Sequence, residues 1–546
     1  MNSIKNIKYI ASFFSLIMLM SSCNEEEFLN RYPLDRPNSA NFFVGPESAR
    51  AAVNACYEPW HRGNANMLYR DMTIHLDALT DDGYWRPVRA ASIALEEWNI
   101  TPTHENVKSW WRYPYVCINA ANFALANIPQ STDESFTPEQ QAPYLGEAAF
   151  YRAYSYQFLT MLYGDVPLYL DLAGSFDDFH LPRSPKDEVL AQVIADFTFA
   201  KENLKNQPIF PGAPSKPIAA AMLAKTYLIL GDWINAEAAA REAIEIAEAA
   251  GKHLMDDFEA IWALENEGDS NPELLWYWGF VENDEFHGGN HAVQRLTRDL
   301  PAELKTAIDG DGWGYALPQR DLYDAFEAGD PRREYTIFAP GDDYKIYPGE
   351  DFSYRHQKLD ENGDTLRWDV VYSAGDMVEY DYRWSPSGMN VRKMIRTVIN
   401  LANVRWSGQD VPVMRMSELY LILAEALAEQ GDAEAYTWVN KVRARPSVNM
   451  PPVNSGDLVE VVRHERRVEL AFEGLRLFDL IRWGEIDDVF GDGTKVKRHF
   501  YSDFLPDNSL LKYDHPIGKL NLDPLFPIPQ EEIDNNININ SNNPGW

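Results

Sequence analysis

Aromatic residues stand beside carboxylate, amide and guanidinium side chains in two separate parts of the chain. An aromatic ring presents a flat apolar face, and carboxylates and amides form paired hydrogen bonds with neighbouring hydroxyl groups. This combination suits a pyranose ring, because its C–H groups form an apolar face within a rim of hydroxyls. The first cluster comprises Asp77, Asp81, Asp82, Tyr84, Trp85, Arg86, Trp98 and Asn99. The second comprises Trp276, Trp278, Phe286, Trp313, Tyr315 and Gln319.

Some members of these clusters are predicted to contact a ligand. Trp85 and Trp313 are the leading candidates, since both lie among glycine and charged residues. Packing in the hydrophobic core is the alternative for every ring. It is the favoured interpretation for Trp276 and Trp278, which lie on the same side of an alternating strand. The predicted ligand-binding residues are Asp81, Tyr84, Trp85, Trp98, Trp313 and Tyr315.

Glycoside hydrolysis is the enzymatic alternative, because Asp81 is followed by Asp82 and Glu96 by Glu97. That reaction requires an acid and a carboxylate about 5 to 9.5 Å apart across the scissile bond. Adjacent side chains on a strand or a helix point apart. The pairs are therefore interpreted as turn or surface charge, and the chain is predicted to be non-catalytic.

The sequence contains no motif typical of metal-dependent or cofactor-dependent catalysis. His464 and Glu465 resemble the start of a zinc-binding helix, but Val468 stands where that motif requires a second histidine. GxSxG, phosphate-loop and dinucleotide-binding patterns are also missing from the sequence. The loop at 360–364 places its glycine two positions too early for an EF-hand. We predict no cofactor and no catalytic metal, and a structural calcium ion stays open as an alternative.

The charge balance excludes one class of partner. The 546 residues include 83 acidic and 49 basic side chains, which give a formal net charge of −34. A negative field of this size repels polyanions, so nucleic acid is excluded as a partner. For the same reason a neutral glycan is favoured over an anionic one.

The amino terminus has the pattern of a secretion signal. Lys5 and Lys8 precede an apolar run at 9–20 that is too short to span a bilayer. Small residues then precede Cys23, as in a bacterial lipoprotein cleavage site. We predict a signal peptide at 1–22, acylation of Cys23 by chains such as palmitate, and a lipidated linker at 23–40. An ordinary signal peptide cut near Ser21 is the alternative.

Two further cysteines, Cys56 and Cys117, have apolar neighbours and no CxxC spacing. Such residues behave as small apolar side chains in a core. They are predicted to be buried thiols, with a disulfide between them as the alternative.

Helical periodicity dominates two parts of the chain. Small and apolar residues recur at three- and four-residue steps over 145–162, and the pattern ends at Gly164. Residues 218–250 read as two antiparallel helices joined at Gly231, and 415–445 repeat this plan. The spacing of small residues is typical of tetratricopeptide hairpins. The sequence therefore predicts a mainly α fold built from stacked helical hairpins.

The part between these helical regions has a different character. It alternates Gly, Pro, Asp and aromatic residues with short β-favouring runs such as 274–278 and 370–372. Irregular segments on a rigid scaffold often carry binding sites. We predict helical scaffold at 41–255 and 411–485, a loop-rich inserted portion with short strands and candidate ligand loops at 256–410, and an extended carboxyl-terminal segment at 486–546.

The most charged segment, at 465–482, is predicted to be structural. Arg466, Glu469 and Glu473 lie at the three- and four-residue spacings that place side chains on neighbouring helix faces. A polar network that supports the scaffold is favoured over a catalytic group.

Motifs along the chain occur in an order that resembles the SusD/RagB family of outer-membrane lipoproteins of the Bacteroidetes. The resemblance implies a helical fold with four tetratricopeptide-like hairpins. It also implies that loops at places corresponding to the two aromatic clusters hold a glycan. The motifs are Cys23 with the acidic residues after it; Trp110, Trp111, Tyr115, Ile118, Asn119 and Asn122; and the segments 146–153, 163–168, 330–333, 424–426, 440–443, 465–484, 527–533 and 543–546.

The function that the resemblance implies is non-catalytic. A lipid-anchored protein at the outer membrane, facing the cell exterior, would bind oligosaccharides and deliver them to a SusC-like TonB-dependent transporter. A peptide-binding, RagB-like uptake protein is the first alternative. A glycoside hydrolase lipoprotein and a structural tetratricopeptide adaptor are the others.

Overall fold

The computed structural model describes residues 43–61, 75–85, 94–95, 98–175, 177–280, 316–345, 352–359, 365–373, 375–380, 388–393, 409–490 and 525–546. The predicted signal peptide at 1–22, Cys23 and the linker at 23–40 lie outside these residues. In the described part of the chain, no helix is long and apolar enough to cross a membrane.

Helices dominate the described residues. The α-helices are α1 (Pro46–His61), α2 (Glu105–Asn127), α3 (Pro138–Tyr163), α4 (Lys186–Asn203), α5 (Lys216–Leu230), α6 (Trp233–Ala249), α7 (Arg320–Ala325), α8 (Arg332–Thr336), α9 (Met416–Glu429), α10 (Ala435–Arg443), α11 (Leu458–Glu469), α12 (Arg476–Trp483), α13 (Ile486–Phe490) and α14 (Gln530–Asn535). Short 3-10 helices lie at Ile128–Gln130, Asp177–Phe179, Glu259–Trp262, Leu264–Asn266 and Gly268–Ser270.

Local capping sets where these helices begin and end. Helix α3 begins at Pro138, before the periodic pattern, because the Thr137 N–H donates to the Gln140 side chain (3.0 Å) in a capping box. It ends at Gly164 as predicted. In the α5–α6 hairpin, Gly231 adopts the left-handed conformation (φ 71°), which a residue without a Cβ reaches at no steric cost.

The two helical hairpins predicted separately stack on one another. Lys225 on α5 pairs with Glu418 on α9 (2.8 Å). Arg241 on α6 pairs with Glu434, which immediately precedes α10 (2.7 Å). Small buried side chains let the helices approach closely. The prediction of a mainly α fold with a loop-rich insertion is confirmed. The buried alanines on α6 are Ala236, Ala239, Ala240, Ala243 and Ala247.

The strands are short and pair two by two in antiparallel fashion. They are β1 (Gly83–Trp85), β2 (Val166–Pro167), β3 (Arg183–Ser184), β4 (Leu274–Trp278), β5 (Ala316–Pro318), β6 (Ile337–Phe338), β7 (Asp343–Lys345), β8 (Phe352–Leu359), β9 (Thr365–Tyr372), β10 (Met377–Glu379), β11 (Asn390–Val391) and β12 (Val411–Arg415). The described pairs are β1–β5, β2–β3, β4–β12, β6–β11, β7–β10 and β8–β9.

Strands β4 and β12 join the inserted portion to the scaffold. Both strands lie near its two ends, and every residue of β4 is buried. The indole of Trp278 stacks on Trp60 (ring centroids 5.7 Å apart, 11° between planes), and Trp276 meets Tyr154 edge to face (5.1 Å). The core interpretation of Trp276 and Trp278 is therefore confirmed.

The two cysteines lie in the same interior. Cys56 and Cys117 are buried and unpaired, which confirms the prediction of core thiols. The Cys117 thiol donates to the Cys56 carbonyl oxygen (3.3 Å). Burial raises the pKa of the Cys117 thiol to about 12, so it is protonated at neutral pH.

A buried network of charges links the inserted portion to the scaffold. Arg332 on α8 contacts Glu465 (2.5 Å) and Glu469 (3.1 Å) on α11. Lys393 contacts Glu473 (2.6 Å), which also pairs with Arg415. The prediction that 465–482 supports the scaffold is confirmed. The other members of the network are Glu273, Asp330, Arg443 and Arg445.

The expectation that Glu469 and Glu473 lie at helical spacing on neighbouring faces was wrong. Helix α11 ends at Glu469, and α12 begins only at Arg476. Between them Phe472 (φ 60°) and Gly474 (φ 76°) adopt left-handed backbone conformations. The turn points Glu473 towards Lys393 and Arg415, so Glu473 pairs with other elements rather than along one helix.

The described end of the chain, at 525–546, packs against α3. The Asn543 amide donates to the carbonyl oxygens of Tyr163 (3.0 Å) and Phe526 (2.7 Å). Phe526 is buried, and its N–H donates to the Leu162 carbonyl (2.8 Å).

Candidate functional site

Antiparallel pairing of β1 with β5 places the first predicted cluster beside Gln319 of the second. Tyr84 is opposite Leu317, and Trp85 is opposite Ala316. Tyr315 immediately precedes Ala316 in the chain, and Trp313 is two residues further back; both lie outside the described residues. Segments separated by more than 200 residues in sequence therefore meet at one short ladder, although nothing is described of the Tyr84 and Trp85 side chains.

The turn before β1 is held tightly. A Cβ on Gly83 would lie 2.7 Å from the Asp77 carbonyl oxygen, so only glycine fits there. The Gln319 N–H donates to the Asp82 carbonyl oxygen (2.9 Å), which ties this turn to the residue after β5. The Asp77 carboxylate accepts a hydrogen bond from the Gly474 N–H (2.8 Å). Three parts of the chain thus fix the position of the ladder.

Two arginines of the 465–482 segment bind the first acidic pair. Arg476 makes two hydrogen bonds of 2.9 Å to Asp81, and an Arg467 nitrogen lies 2.9 Å from the same carboxylate. Arg467 also donates to Asp82 (2.7 Å). Both aspartates are buried. This fork-to-fork geometry places the carboxylates between protein cations and away from solvent.

Burial and neighbouring charge act in opposite directions on these carboxyls. Burial acts to raise the pKa of Asp81, but Arg467 and Arg476 outweigh it and hold that pKa below its ordinary value. Burial raises the pKa of Asp82, and Arg467 offsets only part of this effect. The general acid of a glycosidase would need access to a substrate oxygen. Neither carboxyl offers that access, so the arrangement supports a structural part for the pair.

Trp98 lies inside the protein. Its side chain is 6% exposed, its Nε1 donates to the Leu79 carbonyl oxygen (3.2 Å), and its ring lies 6.0 Å from that of Phe526. The geometry favours the core-packing alternative for this residue. A sequence offers little to separate a buried indole from an exposed one where both are flanked by polar residues.

The described residues include no group of three or more His, Cys, Asp or Glu side chains that could hold a metal ion. The loop at 360–364, considered for calcium, lies outside them. Sequence reasoning did not find Arg467 and Arg476 as the partners of the first cluster. The spacing of charges within 465–482 indicates only which side chains share a helix face. It does not indicate the partner aspartates, which lie almost 400 residues earlier.

The arrangement defines a class of protein: a helical-hairpin scaffold whose irregular insertion pairs with an amino-terminal strand beside a candidate ligand surface. Two family models match the chain, one described as SusD family over residues 272–546 and one described as starch-binding associating with outer membrane over residues 47–228. The chain belongs to the SusD family.

Individual relatives agree over almost the whole length. SusD-like protein P2 of Formosa agariphila is 27% identical over 99% of this chain and 100% of its own. A SusD-like carbohydrate-binding protein from Bacteroides fragilis is 23% identical, with a TM-score of 0.73, over 91% of this chain and 99% of its own. A laminarin-binding SusD-like protein is 23% identical, with a TM-score of 0.69, over 92% and 100%. These solved structures share the fold of this chain.

Proposed function

We propose that this protein binds oligosaccharides at the outer membrane and passes them to a SusC-like TonB-dependent transporter without cleaving them. The observation that supports the proposal is the β1–β5 ladder, which pairs Tyr84 and Trp85 of the first cluster with the strand that ends just before Gln319 of the second. The rings of Tyr84, Trp85, Trp313 and Tyr315 would supply flat faces for pyranose rings. Asp81 and the buried Trp98 would stabilise the backbone beneath this surface.

The relatives support a glycan as the ligand. Solved neighbours include a laminarin-binding SusD-like protein and surface glycan-binding protein A from Bacteroides fluxus. Acylated Cys23 would hold the protein on the membrane, facing the cell exterior. The absence of catalysis in this proposal is supported by the burial of Asp81 and Asp82 and by their pairing with arginines.

Binding to a panel of polysaccharides and peptides tests the proposal. Protein that starts at residue 24 should be retarded in gels containing at least one polysaccharide, without releasing reducing ends. Trp85→Ala and Trp313→Ala should each weaken binding by about 1–3 kcal/mol, the scale of a stacking contact. The matched control is Trp438→Ala, since Trp438 is a half-buried indole on scaffold helix α10.

Three results would contradict parts of this proposal. Preference for peptides would favour a RagB-like uptake protein, and release of reducing ends would favour a hydrolase. Equal losses of stability and no loss of affinity in both tryptophan variants would place these rings in the core. Copurification of a TonB-dependent transporter with the acylated protein, and its loss from Cys23→Ser cells, tests the remaining step.

A further inference from the structure

A second concave surface lies along α2 between Glu105 and Asn122, with no lining residue from β1 or β5. The cleft between α2, the segment 169–179 and α14 encloses about 760 Å³. This volume is within the roughly 300–1,000 Å³ typical of small-molecule sites. Trp111 and Asn119, two residues of a motif typical of the family, line this cleft.

Aromatic rings line the cleft in fixed positions. Trp111 and Tyr115 have ring centroids 5.2 Å apart, and Tyr115 and Tyr169 have centroids 5.7 Å apart. The Tyr115 hydroxyl donates to the Pro167 carbonyl oxygen (2.8 Å), and the Tyr169 hydroxyl donates to the Phe179 carbonyl oxygen (2.8 Å). These bonds hold the rings before any ligand arrives, which lowers the entropy cost of binding.

Polar groups at the mouth are free to bind a ligand. The side chains of Arg112, Asn119 and Asp171 are exposed, and within the described residues they make no hydrogen bond or ion pair. Lys108 on α2 forms an ion pair with Glu531 on α14 and closes one end. Guanidinium, amide and carboxylate groups together can donate to and accept from a rim of hydroxyls.

We propose that this cleft binds a short neutral oligosaccharide as a second site, separate from the β1–β5 surface. Rings flanked by free polar groups match the apolar face and hydroxyl rim of a pyranose. The charged lining residues disfavour an anionic ligand, because four acids face two bases. The cores of protein–protein interfaces are depleted of charge, so a partner protein fits this mouth less well. The acids are Glu105, Asp171, Glu531 and Glu532, and the bases are Lys108 and Arg112.

The experiment distinguishes binding at the cleft from binding at the β1–β5 surface by testing cleft variants in two protein backgrounds. Tyr113→Ala and Asn119→Ala remove one ring and one amide from the cleft, in the wild-type protein and in the Trp85→Ala/Trp313→Ala protein. Tyr227→Ala is the matched control, because Tyr113 and Tyr227 are both half-buried against the same core and Tyr227 does not line the cleft. Retardation is measured in gels that contain a panel of neutral polysaccharides, and stoichiometry by calorimetry with an oligosaccharide of the best one.

The expected result is residual binding in the Trp85→Ala/Trp313→Ala background that falls at least fivefold with either cleft substitution. The stoichiometry should fall from two to one when the cleft is altered. Asn119→Ala keeps the test valid if Tyr113→Ala fails to fold, since Asn119 is an exposed side chain. If no polysaccharide in the panel shows binding that depends on Tyr113 or Asn119, the second site is overturned. If the cleft variants lose binding and the Trp85→Ala/Trp313→Ala protein binds as tightly as wild type, the proposed β1–β5 site is overturned instead.

Discussion

Glu469 is the carboxylate on which three buried arginines converge. Its oxygens lie 3.1 Å from nitrogens of Arg332, Arg415 and Arg445. Burial alone would raise the pKa of Glu469, but the three cations outweigh it and lower the pKa to about 2. The carboxylate of Glu469 is therefore ionised in the folded state at neutral pH.

Replacing Glu469 with glutamine should destabilise the fold strongly. Glu469→Gln keeps the side-chain size but replaces the one carboxylate that all three buried guanidinium groups share with a neutral amide, which costs about 3–5 kcal/mol. The measurement is the denaturant midpoint at pH 7. The sign with pH follows from the lowered pKa: the stabilisation is complete above the ordinary pKa of about 4.3 and is lost as the pH falls towards 2. The difference between variant and wild type should shrink over that interval.

Glu460→Gln is the control for this prediction, because Glu460 is exposed on the same helix. It should change the midpoint by no more than experimental error. Equal midpoints for Glu469→Gln and Glu460→Gln would show that the network does not stabilise the fold.

Glu267 shows the opposite titration behaviour. Burial, and then the charge of Asp410, raise the pKa of Glu267 to about 8. An acid with a raised pKa in the folded state costs stability as the pH rises from its unfolded value to its folded one. Glu267→Gln should therefore unfold at a higher denaturant concentration than wild type at pH 8 and at the same concentration at pH 4. The gain should be about 1 kcal/mol, since solvent screens a half-exposed group. A variant that is less stable than wild type at pH 8 would contradict this account, and Glu265→Gln is the neighbouring exposed control.

At the scale of elements, helices were easier to predict than strands. The hairpins at 218–250 and 415–445 could be read from the sequence because small and apolar residues repeat along one helix face and a glycine ends each first helix. The break after α11 could not be read, since the left-handed Phe472 is stabilised by contacts of the turn with distant residues. The strands β1 and β5 have three residues each and pair across more than 200 residues of sequence, so no local pattern defines them.

The candidate site was predicted in part for the same reason. Residue types located two aromatic–polar clusters, because sugar recognition requires particular side chains. Only long-range pairing shows that β1 lies beside β5 and that Arg467 and Arg476 bind Asp81. The cleft along α2 was missed, because its rings follow helical spacing and look like core residues in the sequence.

Gly83→Ala tests whether the shape of the β1 turn controls ligand binding. The added Cβ would meet backbone atoms of Asp77 at 2.7 and 2.9 Å, and backbone cannot move aside as a side-chain end can. The strand must shift, so we expect a loss of about 1–3 kcal/mol in stability and a weaker affinity for the glycan selected in the panel.

Gly279→Ala is the control for Gly83→Ala, because its Cβ would meet only side-chain atoms of Tyr277 and Asp410, at 3.5 Å or more. It should leave both stability and affinity unchanged. If Gly83→Ala binds the glycan with wild-type affinity, the shape of the β1–β5 ladder does not control ligand binding.

At the scale of the whole molecule, the buried charge network joins the helical scaffold and the inserted portion. Arg332 and Lys393 belong to the inserted portion, whereas Glu465, Glu469 and Glu473 belong to the scaffold. The pairing of β4 with β12 strengthens the same junction, because Arg415 at the end of β12 belongs to the network. A binding surface built on the insertion is thereby fixed to the helices, which would let the scaffold face a transporter while the insertion holds the ligand.

The net charge of −34 should discriminate between charged and neutral ligands at distances longer than that of a direct contact. A sulfated derivative of the neutral polysaccharide selected in the panel carries negative charge into this field, and the repulsion acts within a screening length of about 10 Å at 0.1 M salt. We expect the derivative to bind at least tenfold more weakly than the neutral form at low ionic strength, and the gap to narrow as salt is added. The neutral form should bind equally well throughout, because stacking and neutral hydrogen bonds are only weakly screened. Tighter binding of the sulfated form at low salt would mean that a local basic surface, and not the overall charge, governs which glycans the protein accepts.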